Sequence, residues 1–176
     1  LERAAKRPNP DATLARAIDL LETISRRAAY LALLDEHPVA LERLTELLSA
    51  SPWAAEYLNQ HPVLLDELLD ARLLLARPDW RAVGRQVRRQ MMELAGDAEQ
   101  QMDALREAHH AQLFHLLLQD LAGALSVEAL SDHLSDLADL MLQVTLELCW
   151  SALRARNPAL PAEPRFAVIE IGRAHV

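Results

Sequence analysis

A chain of 176 residues that is 51% hydrophobic and 25% charged is long enough to bury a core and too apolar to stay disordered. Its formal net charge of -8 argues against nucleic acid as a partner, since phosphate recognition needs concentrated positive charge, and a single cysteine excludes both a disulfide framework and a multi-thiolate metal site. Asp, Glu, Arg or Gln interrupts every Leu-rich segment well before the roughly 18 apolar residues of a membrane span, so no membrane is expected. With no apolar leader at the N-terminus and a lone thiol, a cytoplasmic protein is expected.

Only 4 Gly occur, and Leu, Ala, Glu, Gln and Arg dominate. This favours helix almost everywhere, so the expected fold is all-α, a multi-helix bundle with long antiparallel helices. From Leu14 the positions Ile18, Leu21, Ala28, Leu31 and Leu34 fall mostly three, four or seven apart and predict one face of a long helix ending at His37-Pro38. X-Pro steps at His37-Pro38, Ser51-Pro52 and His61-Pro62 predict short helices, because the residue before proline is pushed out of helical geometry while proline suits the first turn. Ser51 is a good N-cap, and Trp53 and Tyr57, four apart, are expected to share a buried face.

After Arg77-Pro78 a longer helical region is expected to about Ala124, with weak points at Gly84 and Gly96 and an apolar line through Met102, Leu105, Leu113, Leu116 and Leu117. Val127, Leu130, Leu134, Leu137, Met141, Val144 and Leu148 then alternate three and four apart. This predicts a helix capped by Ser126 and packed along its whole length. Asn157-Pro158, Pro161 and Pro164 close the helical body, giving a helical region over 1–157 and a proline-rich connector over 158–164. Arg165 to Ile169, short, apolar and β-branched, reads as the first strand of a further domain, which cannot fold without partners.

No catalytic set emerges from this pattern. No histidine pair has the three- or four-residue spacing of a helical metal site; His133 is better read as pairing with Asp136 or a Glu one turn away. Ser135-Asp-Leu-Ala-Asp139 is close to a Ser-Asp-x-Asp metal signature, but its carboxylates stand three apart on a heptad helix, where Asp136 and Asp139 face solvent, rather than two apart on a strand. Arg81, Arg85, Arg88 and Arg89 share one helical face that could dock an anion or acidic partner. The plainer reading is a solvated face neutralised by Asp79, Glu93 and Asp97. Cys149, beside Trp150, is expected to be a buried structural thiol. No catalytic, cofactor-binding or metal residue is therefore assigned in this stretch.

Several strings together resemble one family, the bifunctional glutamine synthetase adenylyltransferase and adenylyl-removing enzymes of bacteria. They are Arg26-Arg-Ala-Ala-Tyr-Leu-Ala-Leu-Leu34, Ala50-Ser-Pro-Trp-Ala-Ala-Glu-Tyr-Leu58, His61-Pro-Val-Leu-Leu-Asp-Glu-Leu-Leu69, Glu99-Gln-Gln-Met-Asp-Ala-Leu-Arg106, Asp120-Leu-Ala-Gly-Ala-Leu125 and Phe166-Ala-Val-Ile169. The resemblance implies the helical region between the family's two nucleotidyltransferase domains, leading into the second. It implies a parent enzyme that uses ATP and magnesium to place AMP on a glutamine synthetase tyrosine and removes it by phosphorolysis, with glutamine synthetase and a PII-type signalling protein as partners.

In the family, Phe-Ala-Val-Ile leads into Gly-Tyr-Gly-Lys-Leu-Gly-Gly and a Gly-Ser-Asp-Leu-Asp metal motif. Here Glu170-Ile-Gly-Arg-Ala-His-Val176 follows instead. Ile171 to Val176 can be encoded as ATC GGA AGA GCA CAC GTC, a common sequencing-adapter sequence, so 170–176 is expected to be a non-native tail. That tail and the absence of an initiating Met lead us to expect a fragment, one that scaffolds without catalysing. The competing expectation is a freestanding helical interaction module that binds an acidic partner through the four arginines.

Overall fold

A computed structural model describes residues 2–25, 28–65, 68, 76–164 and 168. Among them are seven α-helices: α1 (Pro10–Ile24), α2 (Ala28–Glu36), α3 (Pro38–Ala50), α4 (Pro52–Gln60), α5 (Trp80–Glu93), α6 (Ala98–Leu121) and α7 (Val127–Arg156). No strand occurs among the described residues. The strand expected over 165–169 lies, except for Val168, outside them, as do 170–176. Val168 itself belongs to no element.

Proline and short polar side chains set the helix starts. Pro10, Pro38 and Pro52 each open a helix, where the missing N–H costs nothing because the first-turn donors have no intrahelical acceptor. Ser51, Asp79, Asp97 and Ser126 accept from the backbone N–H three residues on, at 3.1, 2.9, 3.0 and 3.2 Å. Each such cap stabilises its helix by about 1 kcal/mol. Gly96, at φ 97°, makes the turn between α5 and α6 in a region that side chains disfavour. Gly84 does not break α5; a Cβ there would stand 3.0 Å from the Leu140 side chain, so its absence lets α5 and α7 approach closely.

The helices bury two cores. In the first, Leu20 and Ile24 of α1, Leu44, Leu47 and Leu48 of α3, and Ala54, Ala55, Tyr57 and Leu58 of α4 close around Phe114 and Leu118 near the C-terminal end of α6. In the second, Val87 and Met91 of α5 and Leu140 and Val144 of α7 meet Ala104, Leu105 and Ala108 in the N-terminal half of α6. The pairs Trp80–His133, Gly84–Leu140 and Arg88–Glu147 advance together along both chains, so α5 and α7 run parallel. α6, turned back through Gly96, runs against them.

Three expectations are corrected here. The single long first helix is two helices, and its inward face is Thr13, Leu20 and Ile24 rather than Ile18, Leu21 and Leu31, which are exposed. Leu20 and Leu21 are adjacent, and periodicity alone does not say which of the pair turns inward. α7 packs from Leu137 to Leu148, whereas Val127 and Leu134 are exposed. Met102, at 59% exposed, is not on the buried line of α6.

The inward face of α6 can be checked by mutation. Phe114→Ala, which empties a fully buried site, should cost about 3–5 kcal/mol in urea unfolding. Met102→Ala should stay within about 0.5 kcal/mol.

Candidate functional site

The arginine face lies on α5, whose first turn is capped by Asp79. Its four members separate. Arg88 turns towards α7 and donates through Nε and an Nη to the two oxygens of Glu147, at 2.7 and 2.8 Å. The hydrogen bond to Glu147 raises the Arg88 pKa, outweighing the partial burial that lowers it. Arg81, Arg85 and Arg89 are exposed and make no ion pair among the described residues. Met92, 69% exposed, extends their line by one turn.

The expected neutralisation by neighbours on the chain is corrected by this geometry. Asp79 and Asp97 are occupied as N-caps, and the Gln100 N–H, donating to the Asp97 carboxylate, lowers its pKa. Glu93 forms no ion pair with the arginines among the described residues. The carboxylate that does pair lies 59 positions away on α7, and helical spacing within α5 carries no signal of it.

A groove of about 550 Å³ opens where α6 ends and α7 begins, lined by Arg77, Gln119, Ser126, Asp132, His133 and Asp136 among others. Gln119 is 2% exposed; its Nε2 donates to the Ala76 carbonyl at 2.7 Å, and its Oε1 has no partner. His133 does not pair with Asp136. Its Nδ1 accepts from Trp80 Nε1 at 3.3 Å and so joins α7 to the start of α5. Asp136 and Asp139 both stand exposed on α7, and among the described residues no three His, Cys, Asp or Glu side chains converge as a metal site.

One constellation escaped sequence reasoning. On α4, Trp53 and Tyr57 stack at 5.4 Å, with Tyr57 buried and Trp53 37% exposed, so only one of the pair is in the core. Tyr57 Oη donates to Glu107 of α6 at 2.7 Å, and His61 Nε2 stands 3.2 Å from the same carboxylate. His110 meets both aromatic rings edge-on. The Trp-x-x-x-Tyr spacing was readable, but its partners lie some 50 positions on. Next to them, burial and then the charge of His110 push the His109 pKa down.

Cys149 is exposed, against expectation, because the step from the buried-side residue Leu148 rotates it about 100° away from the core.

Comparison with known proteins places this geometry. Residues 41–175 match the family model described as glutamate-ammonia ligase adenylyltransferase. A bifunctional glutamine synthetase adenylyltransferase/adenylyl-removing enzyme of Aromatoleum aromaticum is 56% identical over 98% of this chain and 18% of its own length. Those of Chromobacterium violaceum and Nitrosomonas europaea are 52% and 46% identical, each over 98% of this chain and 19% of their own length. The chain thus spans under a fifth of the length of the curated relatives it matches.

Two outcomes test the site chemistry. A double-mutant cycle on Arg88→Ala and Glu147→Ala should return a coupling of about 0.5–1 kcal/mol, as expected for a half-exposed bidentate pair. For His109 the unfolded chain binds protons more readily than the folded one, so stability should fall as pH drops below 6.5 and level off beneath the depressed folded-state pKa. Unfolding of His109→Gln from pH about 7 to about 5 should show a shallower slope than the parent.

Proposed function

The chain belongs to the glutamate-ammonia ligase adenylyltransferase family, and from that premise we propose that it is a helical, non-catalytic piece of an enzyme that places AMP on glutamine synthetase and removes it again. The observation that carries this reading is 56% identity over 98% of the chain to an enzyme named for both activities. In the parent, ATP and magnesium serve domains outside these helices. We read residues 1–157 as the helical interdomain region and 158–164 as a connector.

The helices act by holding distance. α7, with 30 residues, is a rod of about 45 Å, and α6 ties it to the N-terminal helices through a shared pair of cores. Such a unit sets how far apart two active domains stand. It also carries part of the response to a PII-type signalling protein, because a rigid element passes a displacement at one end to the other. Among the described residues no helix is long and apolar enough to cross a membrane, and the parent is read as cytoplasmic.

A second reading rests on Arg81, Arg85 and Arg89, three exposed cations beside an exposed Met92 in a chain of net charge -8. Here the chain is a freestanding module and these residues meet an acidic partner.

Sequencing the locus across the codon for Ile169 separates the two. We expect the reading frame to continue into the glycine-rich and Ser-Asp-x-Asp elements, and the protein it encodes to transfer label from α-labelled ATP to glutamine synthetase. A natural stop after Val176 would overturn the enzyme reading and favour the module.

A further inference from the structure

α7 carries two apolar lines, and among the described residues only one is packed into a core. Leu137, Leu140, Met141, Val144 and Leu148 face α5 and α6. Leu142, Leu146, Cys149 and Leu153, spaced four, three and four apart, form a second line over the last three turns. Leu142 is 38% and Leu153 51% exposed, Leu146 is half-buried and Cys149 is exposed. Carried back from Leu142 into the N-terminal half of the helix, the same line runs through Asp139, Ser135 and Glu128, all exposed. Along this line the exposed apolar side chains therefore lie at the end from which the connector leaves.

The connector does not leave freely. Trp150 Nε1 donates to the Ala162 carbonyl at 3.2 Å and folds the chain back beside α7. Between them runs a groove of about 860 Å³, lined by Leu146, Trp150, Arg154, Ala162 and Pro164 among others. Whatever follows Pro164 thus starts beside the unpartnered line.

We propose that this line and groove are covered by the structural unit that follows the connector in the parent enzyme, so that the next domain is seated on α7 rather than swinging on a free linker. The proposal rests on the enzyme reading above. Size decides between the possible occupants. The eleven steps from Leu142 to Leu153 run about 16 Å, and a strip of that length and roughly 10–12 Å width offers on the order of 200 Å². A stable separate partner, including a second copy of this chain, needs about 800 Å² per side. A tethered occupant needs far less, because a short linker holds it at roughly millimolar effective concentration. The relatives have the chain to supply one, since the matched stretch is 18–19% of their length.

Cys149 reports on the seat. The full-length protein from the locus and the 176-residue chain are reacted with a maleimide, and the Cys149 peptide is followed by mass spectrometry. Labelling of Cys149 is expected to be at least about tenfold slower in the full-length protein, and Leu142→Asp with Leu153→Asp in that protein should restore the fast rate. Both positions are exposed, so far-UV circular dichroism should not change. Equal rates in the two wild-type proteins, or slow labelling that survives the double substitution, would overturn the proposal while leaving the enzyme reading intact. A stop codon after Val176 would remove both.

Discussion

The structure depends on one helix serving two cores. α6 offers Ala104, Leu105 and Ala108 to α5 and α7 at its N-terminal end, and Phe114 and Leu118 to α1, α3 and α4 further on. Apolar side chains on a straight helix that point to different sides at its two ends cannot be satisfied by a single neighbour. The two groups of helices are thereby fastened to one rod. Hydrogen bonds from Tyr57 to Glu107 and from Gln119 to Ala76 pin that rod to the segments on either side of it.

Many of the polar groups among the described residues are committed to this architecture. Asp79, Asp97, Ser51 and Ser126 are committed to helix ends, Glu107 to Tyr57 and His61, His133 to Trp80, and Glu147 to Arg88. Among what is left exposed are three cations on α5, four carboxylates on the first half of α7 and a short apolar line on its second half. That is the pattern of a part whose faces meet other parts, and it fits a family whose matched enzymes are about five times longer than this stretch.

Helix starts were legible because proline and short polar side chains act locally: Pro38, Pro52, Ser51 and Ser126 mark in sequence what they do in space. So was the end of α7 at Arg156 before Asn157-Pro158. Inward faces were less legible. In Leu- and Ala-rich helices two adjacent residues offer competing stripes, and Leu20 against Leu21, or Leu148 against Cys149, is settled by a neighbouring helix that periodicity does not see. Pairings across helices, Arg88 with Glu147 and Tyr57 with Glu107, span 59 and 50 positions and leave no trace in spacing. The family was legible for a different reason: short strings such as Ser51-Pro-Trp and Glu99-Gln-Gln-Met-Asp are jointly specific even where each has an ordinary structural job.

The shared helix also imposes an order on biosynthesis. α1 to α4 leave the ribosome before α6 exists, so their core lacks Phe114 and Leu118 until roughly 50 further residues have been made, a few seconds at about 5–20 residues per second. During that interval the nascent chain presents an unfinished hydrophobic surface of the kind chaperones hold. α5, α6 and α7 are consecutive, and their core closes only once α7 has followed α6 out of the ribosome. The N-terminal helices, though translated first, wait for α6 before their core can close.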